Sequence, residues 1–121
     1  MYGRIGERRM TQLLNLKKLK EKLLICNPSQ VSSDNYYFNN DGNKIIIDYN
    51  FNKFHEKQTA RDMLNKLKDY SEDMFLEIDI EDGFTYSEVI DVVLNYKNEL
   101  MFVDKCYGYP KVFKKIVEKE E

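Results

Sequence analysis

The segment Asn39-Asn40-Asp41-Gly42-Asn43 constrains the fold more than any other part of the sequence. It separates two β-prone runs, Tyr36-Tyr37-Phe38 and Ile45-Ile46-Ile47. An Asp-Gly pair between two such runs is the strongest short-range sign of a β-hairpin, because glycine readily adopts the positive φ of a tight turn. From Ile47 onward the second run alternates apolar and polar residues, as a half-buried strand does. The sequence therefore predicts an antiparallel hairpin whose second strand continues to Phe51.

Two apolar patterns of helical period flank this hairpin. Over residues 11 to 26 the leucines fall within one broad stripe, and Asn27-Pro28 ends the helix. Over residues 57 to 70 the apolar positions recur at the spacing of one helical face. A strand is predicted next, at residues 75 to 80, because apolar and polar positions alternate there.

The last third of the chain contains a sequence that resembles a helix start. Thr85-Tyr86-Ser87-Glu88 has the form of a capping box, in which the Thr85 hydroxyl accepts from the Glu88 amide. We therefore predict a helix over residues 86 to 97, although the β-branched residues that follow Glu88 favour a strand. A strand over residues 99 to 104 and a short terminal helix that begins at Pro110 complete the prediction.

The expected fold is α+β, with the element order α-β-β-α-β-α-β-α. It consists of a small four-stranded mixed sheet with helices mainly on one face. Because strands and helices alternate in the second half, right-handed crossovers and parallel pairing of the last three strands are expected. The strands alternate rather than being continuously apolar, so the other face should be partly open. That face is expected to carry Asp48, Asn50, Glu77 and Asp79.

Size and composition fit one ordinary folded domain. The chain has 121 residues, of which 42% are hydrophobic and 33% are charged. Residues 1–9 are basic and aperiodic and are predicted to be an extension, with residues 10–121 as the single domain. No apolar run approaches 18 residues and the N-terminus lacks a secretory core, so no membrane association is expected. The two cysteines, Cys26 and Cys106, are interpreted as thiols of a cytoplasmic protein.

Charge is distributed unevenly along the chain. Residues 1–26 contain seven basic and two acidic side chains, whereas residues 72–104 contain ten acidic side chains and one lysine. Such a segment produces a local negative potential, which either keeps the surface solvated or binds a basic protein. Direct nucleic-acid binding is not expected, because the pI is about 5.5 and the acidic surface would repel phosphate. The candidate partner-binding residues are Asp48, Glu77, Asp79, Glu81, Asp82, Glu88 and Asp91.

The search for an active site is mostly negative. His55 is the only histidine and no glycine-rich phosphate loop is present, so no cofactor is expected. One alternative is a metal site: Asp48, Glu77 and Asp79 could hold Mg²⁺ for phosphodiester hydrolysis if their strands are neighbours. Strand motifs of that kind commonly have a lysine at or just after the second carboxylate. Here Ile80 and Glu81 follow instead, and no lysine is near in sequence.

The leading hypothesis is a small, non-enzymatic, cytoplasmic inhibitor of the immunity or anti-defence type. It would dock through its acidic surface on a basic partner such as a nuclease or toxin. Eleven asparagines, with abundant lysine, isoleucine and tyrosine, are typical of AT-rich genomes, including phage and mobile islands that often encode such inhibitors. The alternatives are a small Mg-dependent nuclease and an accessory or scaffold protein with no chemistry of its own.

Overall fold

A computed structural model describes residues 12–50 and 57–117, which form two helices and six strands. In chain order these elements are α1 (Leu16–Ile25), β1 (Asn35–Asp41), β2 (Lys44–Asn50), α2 (Ala60–Leu67), β3 (Phe75–Asp79), β4 (Tyr86–Asn95), β5 (Leu100–Asp104) and β6 (Phe113–Lys115). The predicted extension, residues 1–9, lies outside the described residues. Neither helix in the described ranges is long and apolar enough to cross a lipid bilayer.

The predicted hairpin is confirmed. β1 and β2 pair antiparallel from Asn35↔Asn50 to Asp41↔Lys44, which leaves a two-residue loop. Gly42 opens that loop with a φ of +68°, the backbone that a glycine at the first loop position provides. Phe51, where the second strand was expected to end, lies outside the described residues.

Both helices predicted in the first half of the chain form, but each is shorter than the predicted ranges of 11 to 26 and 57 to 70. α1 begins after Asn15, whose side-chain oxygen accepts a hydrogen bond from the Lys18 amide. α2 begins after Thr59, which forms a reciprocal capping box with Asp62. Their apolar faces enter the core, where five side chains are fully buried or nearly so: Leu16, Leu19, Leu23, Met63 and Leu67.

The predicted helix over residues 86 to 97 is wrong, because those residues form β4, the longest strand. The Thr85 hydroxyl donates to Glu81 at 2.8 Å and does not cap a helix. Val89, Val92 and Val93 are fully buried, so strand propensity and burial on both sides of β4 outweigh the local capping pattern. A bulge between Val89 and Asp91 shifts the phase of the strand and lets residues on either side of it be buried.

Three further features of the predicted fold are wrong. The expected terminal helix is the short strand β6, which pairs with the end of β4. The sheet has six strands rather than four, in the order β1-β2-β3-β4-β5 with β6 beside β4. Only β2 and β3 pair in parallel, whereas β3, β4 and β5 are antiparallel neighbours. The protein is α+β in the broad sense, but it is mostly sheet.

The hydrophobic core lies between one face of the sheet and the two helices. Alternate residues of β2 and β3 contribute to it, and they are fully buried or nearly so: Ile45, Ile47, Leu76 and Ile78. Aromatic contacts extend the core towards β5, where the rings of Tyr36 and Phe102 meet edge to face with centroids 4.8 Å apart. The residues between these buried positions point to the opposite face of the sheet.

Candidate docking surface

On the face of the sheet opposite the core, β2, β3 and the first half of β4 carry four neighbouring carboxylates: Asp48, Glu77, Asp79 and Glu88. We call this set the acidic face. Glu77 of β3 is the direct cross-strand partner of Glu88 of β4, and Asp79 is the partner of Tyr86. Asp48 and Asp79 each follow a residue of the parallel pair Ile47↔Ile78, so they lie side by side on adjacent strands.

Two lysines reduce the charge of the acidic face. Lys44 is the first residue of β2, and Lys105 directly follows β5. Lys44 Nζ lies 3.1 Å from Glu77 Oε2, and Lys105 Nζ lies 3.5 Å from Glu88 Oε1. Directly opposed like charges are destabilising in a sheet, and each lysine offsets part of this repulsion. Because these pairs are partly exposed, each contributes at most about 1 kcal/mol.

Asp48 is positioned by a tyrosine from β4. The Tyr86 hydroxyl donates to Asp48 Oδ1 at 3.1 Å, so the ring extends across β3. Partial burial and the Asp48 carboxylate raise the pKa of Tyr86, which therefore keeps its proton and remains a donor. The interaction fixes Asp48 at the centre of the face.

Asp79 shapes the turn that follows the acidic face. Its Oδ1 accepts hydrogen bonds from the amides of Glu81 and Gly83, at 2.9 and 2.8 Å. Asp82 and Gly83 both have positive φ, which closes the turn tightly. The predicted site residues Glu81 and Asp82 therefore lie in an exposed turn at one end of the face.

Asp91 does not belong to the acidic face, although it follows Glu88 by three residues. It is 3% exposed, and Tyr109, Lys115 and Lys22 contact its carboxylate at 2.7, 3.2 and 3.2 Å. Burial alone would raise the pKa of Asp91. The hydrogen bonds from Tyr109 and the Val92 amide, with the charge of Lys22, outweigh it and hold the pKa below its usual value. This predicted docking residue is not accessible to a partner.

The alternative metal site does not form as expected. Asp48, Glu77 and Asp79 do lie on neighbouring strands, but each carboxylate is engaged by a different protein group. In residues 12–50 and 57–117, no three histidine, cysteine or acidic side chains converge in a way that could hold a metal ion. Lys44 lies beside Glu77, whereas the sequence had suggested that no lysine is near. His55 lies outside the described residues.

The fold neutralises much of the charge that the sequence concentrates in residues 72–104. Five of the ten acidic side chains there pair with lysines from other parts of the chain, namely Glu72, Glu77, Glu88, Asp91 and Glu99. The acidic face together with Glu81 and Asp82 carries six carboxylates and two paired lysines, which leaves four negative charges. The surface is acidic, but less so than the sequence suggests.

The docking residues predicted from the sequence are all acidic and omit the apolar residues that share this face. Ile46 lies between the side chains of Asn39 and Glu77, since it pairs with both in the sheet. Phe75 and Ile90 continue the face beyond Glu77 and Glu88, and Phe75 is 45% exposed. The same strand alternation that identifies the carboxylates would have identified Phe75. The face therefore combines apolar surface with charge.

Comparisons with known proteins give no relative for this fold or this surface. No protein-family model matches the sequence, and no curated protein or solved structure matches it. A function for this protein is therefore inferred from the geometry of its surface.

Proposed function

We propose that this protein is a small, non-enzymatic, cytoplasmic inhibitor of the immunity or anti-defence type, which docks its acidic face on a basic partner such as a nuclease or toxin. The observation that supports this most is the placement of Glu77 opposite Glu88, with Asp48 and Asp79 alongside. All four belong to a sheet face that points away from the core.

Electrostatic repulsion on this face favours a binding role over a stabilising one. Neighbouring carboxylates raise the free energy of the folded state, and the two exposed lysine pairs offset only part of it. Arginine or lysine side chains of a partner would lower that free energy on binding. A face with this charge also accelerates encounter with a cationic surface by electrostatic steering.

The apolar residues of the face supply hydrophobic area for an interface, which charged side chains alone do not. Protein interfaces combine a hydrophobic centre with a polar rim, and charged residues are depleted at the centre. Ile46 and the Tyr86 ring lie among the carboxylates, and Phe75 extends the surface at one end. A partner could therefore bury apolar area here while its cations reach the surrounding carboxylates.

The open edge of β1 is partly covered by side chains, which disfavours the addition of a partner strand there. The Gln58 carboxamide accepts from the Tyr36 amide at 3.0 Å and donates to the Tyr36 carbonyl at 3.1 Å. Lys66 Nζ also donates to that carbonyl, and the Tyr70 hydroxyl donates to the carbonyl of Phe38. Side chains thus occupy three of the backbone groups that strand addition at this edge would use.

The cysteines are consistent with a reducing compartment. Cys106 is exposed and unbridged, and Cys26 is a half-buried thiol whose pKa is raised by burial. Exposed thiols persist in the cytoplasm, where glutathione and thioredoxin keep them reduced. This supports the cytoplasmic part of the proposal.

The test begins with capture of the partner on the tagged full-length protein in its native host, with identification by mass spectrometry. The affinity of the purified partner is then measured for the wild type and for the double variant Glu77→Lys and Glu88→Lys. We expect the double reversal to weaken binding at least about 100-fold, because two attractive contacts become repulsive. Circular dichroism and urea unfolding confirm that the variant folds.

A matched double variant, Glu72→Lys and Asp73→Lys, changes the net charge equally in an exposed loop away from the face. We expect it to bind within about threefold of the wild type, because distant exposed charges are screened by salt. Equal losses in both variants would show that only net charge matters. Full binding by the Glu77→Lys and Glu88→Lys protein would leave the face as a solvated surface and favour the scaffold alternative.

A further inference from the structure

A cleft of about 630 Å³ lies beside Asp91 and uses side chains other than the carboxylates of the acidic face. It is lined by residues from α1, from the segment before α1, from β3 and β4, and from the end of the chain. Among residues 12–50 and 57–117, its charged lining consists of Asp91 and three lysines, Lys18, Lys22 and Lys115.

Positive charge exceeds negative charge in this cleft. One carboxylate, Asp91, faces two ammonium groups, with Lys22 on Oδ1 and Lys115 on Oδ2, each at 3.2 Å. Lys18 adds a third ammonium group, and its own partner, Glu21, is 3.8 Å away on the exposed side of the helix. A ligand with one or two negative charges would balance the cleft.

Lys22 and Lys115 each retain a hydrogen-bond donor after their contacts within the protein. A lysine ammonium carries three N–H donors. Lys22 gives one to Asp91 and one to the carbonyl of Ile116, and Lys115 gives one to Asp91 and one to the Tyr109 hydroxyl. Asp91 holds the two ammonium groups on either side of its carboxylate, so their remaining donors are oriented before a ligand arrives.

Beside the charged groups, the cleft has an apolar wall as well as the polar residues Gln12 and Asn15, and it is not an extension of the helix terminus. Phe75, Ile90 and Leu13 form its apolar wall. The first amides of α1 are already used, since those of Leu16 and Lys17 donate to the carbonyls of Met74 and Glu72. Side-chain ammonium groups, rather than backbone amides, are therefore the available donors.

We propose that this cleft binds a small organic anion, with its carboxylate or phosphate group on Lys22 and Lys115 and its apolar part against Phe75 and Ile90. The cleft borders the docking face at Phe75 and Ile90, but its anion-binding donors, Lys22 and Lys115, are not part of the acidic face. A free inorganic ion would leave the apolar wall of the cleft without a contact.

The test titrates the full-length protein, labelled with ¹⁵N, with phenyl phosphate and with benzoate, and follows the amide resonances by NMR. Benzyl alcohol serves as the neutral probe, and inorganic phosphate tests the contribution of the ring. We expect saturable shifts at the amides of Val92 and Lys115 with at least one aromatic anion, and none with benzyl alcohol. Lys115→Met should weaken binding at least about tenfold, since a charge-assisted hydrogen bond is lost.

Lys114→Met is the matched control, because Lys114 is exposed on the same strand and does not line the cleft. It should bind like the wild type, and so should the variant with Glu77→Lys and Glu88→Lys, which keeps this test separate from the docking proposal. Lys18→Met leaves the Asp91 contacts intact and should weaken binding about threefold by removing one screened charge. No saturable binding by the wild type, or equal weakening by Lys114→Met, would overturn the proposal.

Discussion

Glu88 and Asp91 are three residues apart on the same strand, but they occupy opposite electrostatic environments. Glu88 is partly exposed on the acidic face, opposite another carboxylate, and its lysine is 3.5 Å away. Asp91 is buried and receives four hydrogen-bond donors, from two lysines, a tyrosine and the Val92 amide. The bulge between Val89 and Asp91 separates the two environments.

This difference shows which acidic residues stabilise the fold and which are available for binding. Asp91 joins α1, β4, β6 and the loop of Tyr109 through one carboxylate, so its charge is committed to the structure. Glu88 and Glu77 are placed where repulsion slightly raises the folded-state free energy. Selection for stability alone would not favour that arrangement, whereas selection for a basic partner would.

The largest effect is expected on removing the buried carboxylate. Asp91→Ala leaves Lys22 and Lys115 without their common partner, which should lower the free energy of unfolding by about 2–3 kcal/mol. The effect is below that of a fully buried pair, because the Lys115 side chain is 53% exposed and can turn towards water. Urea denaturation at pH 7 measures it. A loss below about 0.5 kcal/mol would mean that Asp91 is not a stabilising group.

The stabilisation by Asp91 should also depend on pH. Its folded-state pKa is lower than that of an unfolded aspartate, which is about 3.9. The stabilising contribution is therefore fully present above the unfolded pKa and is lost as the pH falls through the folded pKa. The free energy of unfolding of the wild type should thus approach that of Asp91→Asn as the pH drops below about 4. A constant difference between pH 7 and pH 3 would contradict the lowered pKa.

A much smaller effect is expected on the acidic face. Glu88→Gln removes the repulsion with Glu77 and the exposed contact with Lys105 together. These terms oppose each other, so the free energy of unfolding should change by no more than about 0.5 kcal/mol. The same urea titration compares it directly with Asp91→Ala. A decrease of about 2 kcal/mol in the free energy of unfolding would mean that Glu88 stabilises the fold as Asp91 does.

The smallest effect is expected from magnesium. The carboxylates of Asp48, Glu77 and Asp79 are held by Tyr86, by Lys44 and by backbone amides. Millimolar Mg²⁺ should therefore shift the melting temperature by less than about 1 °C, since a ligand must bind the folded state to stabilise it. A rise of several degrees, with nucleic-acid cleavage that Asp79→Asn abolishes, would support the nuclease alternative instead.

The sequence predicts local elements well where local signals agree with burial. The 57–70 helix forms because its apolar period and a real capping box at Thr59 point the same way. At residues 85–97 the two signals conflict: Thr85 and Glu88 match a capping box, whereas the β-branched run favours a strand. The strand forms because β4 is paired along both edges, with β3 and β6 on one and β5 on the other. That pairing comes from distant segments, so no local pattern could reveal it.

In the candidate site, too, local patterns predict some positions, whereas others depend on distant segments of the chain. Strand alternation is enough to place Asp48, Glu77 and Asp79 on one face, and the pairing of β2 with β3 brings them side by side. The position of Asp91 could not be derived, because a helix was predicted over residues 86 to 97 and the position depends on a bulge in the strand that forms instead. The lysines that neutralise the acidic segment lie far away in sequence, such as Lys44 on Glu77 and Lys57 on Glu99. A charge map along the chain therefore overestimates the charge on the surface.

Carboxyl footprinting of the free protein and of its complex tests whether the acidic face binds the partner. Carbodiimide coupling with glycine ethyl ester, followed by mass spectrometry, reports the accessibility of each carboxylate. In the free protein, Glu77, Glu88 and Glu72 should be labelled and Asp91 should not, as their exposure dictates. Binding of the captured partner should protect Glu77 and Glu88 and leave Glu72 labelled. Protection of Glu72 with continued labelling of Glu77 and Glu88 would contradict the account.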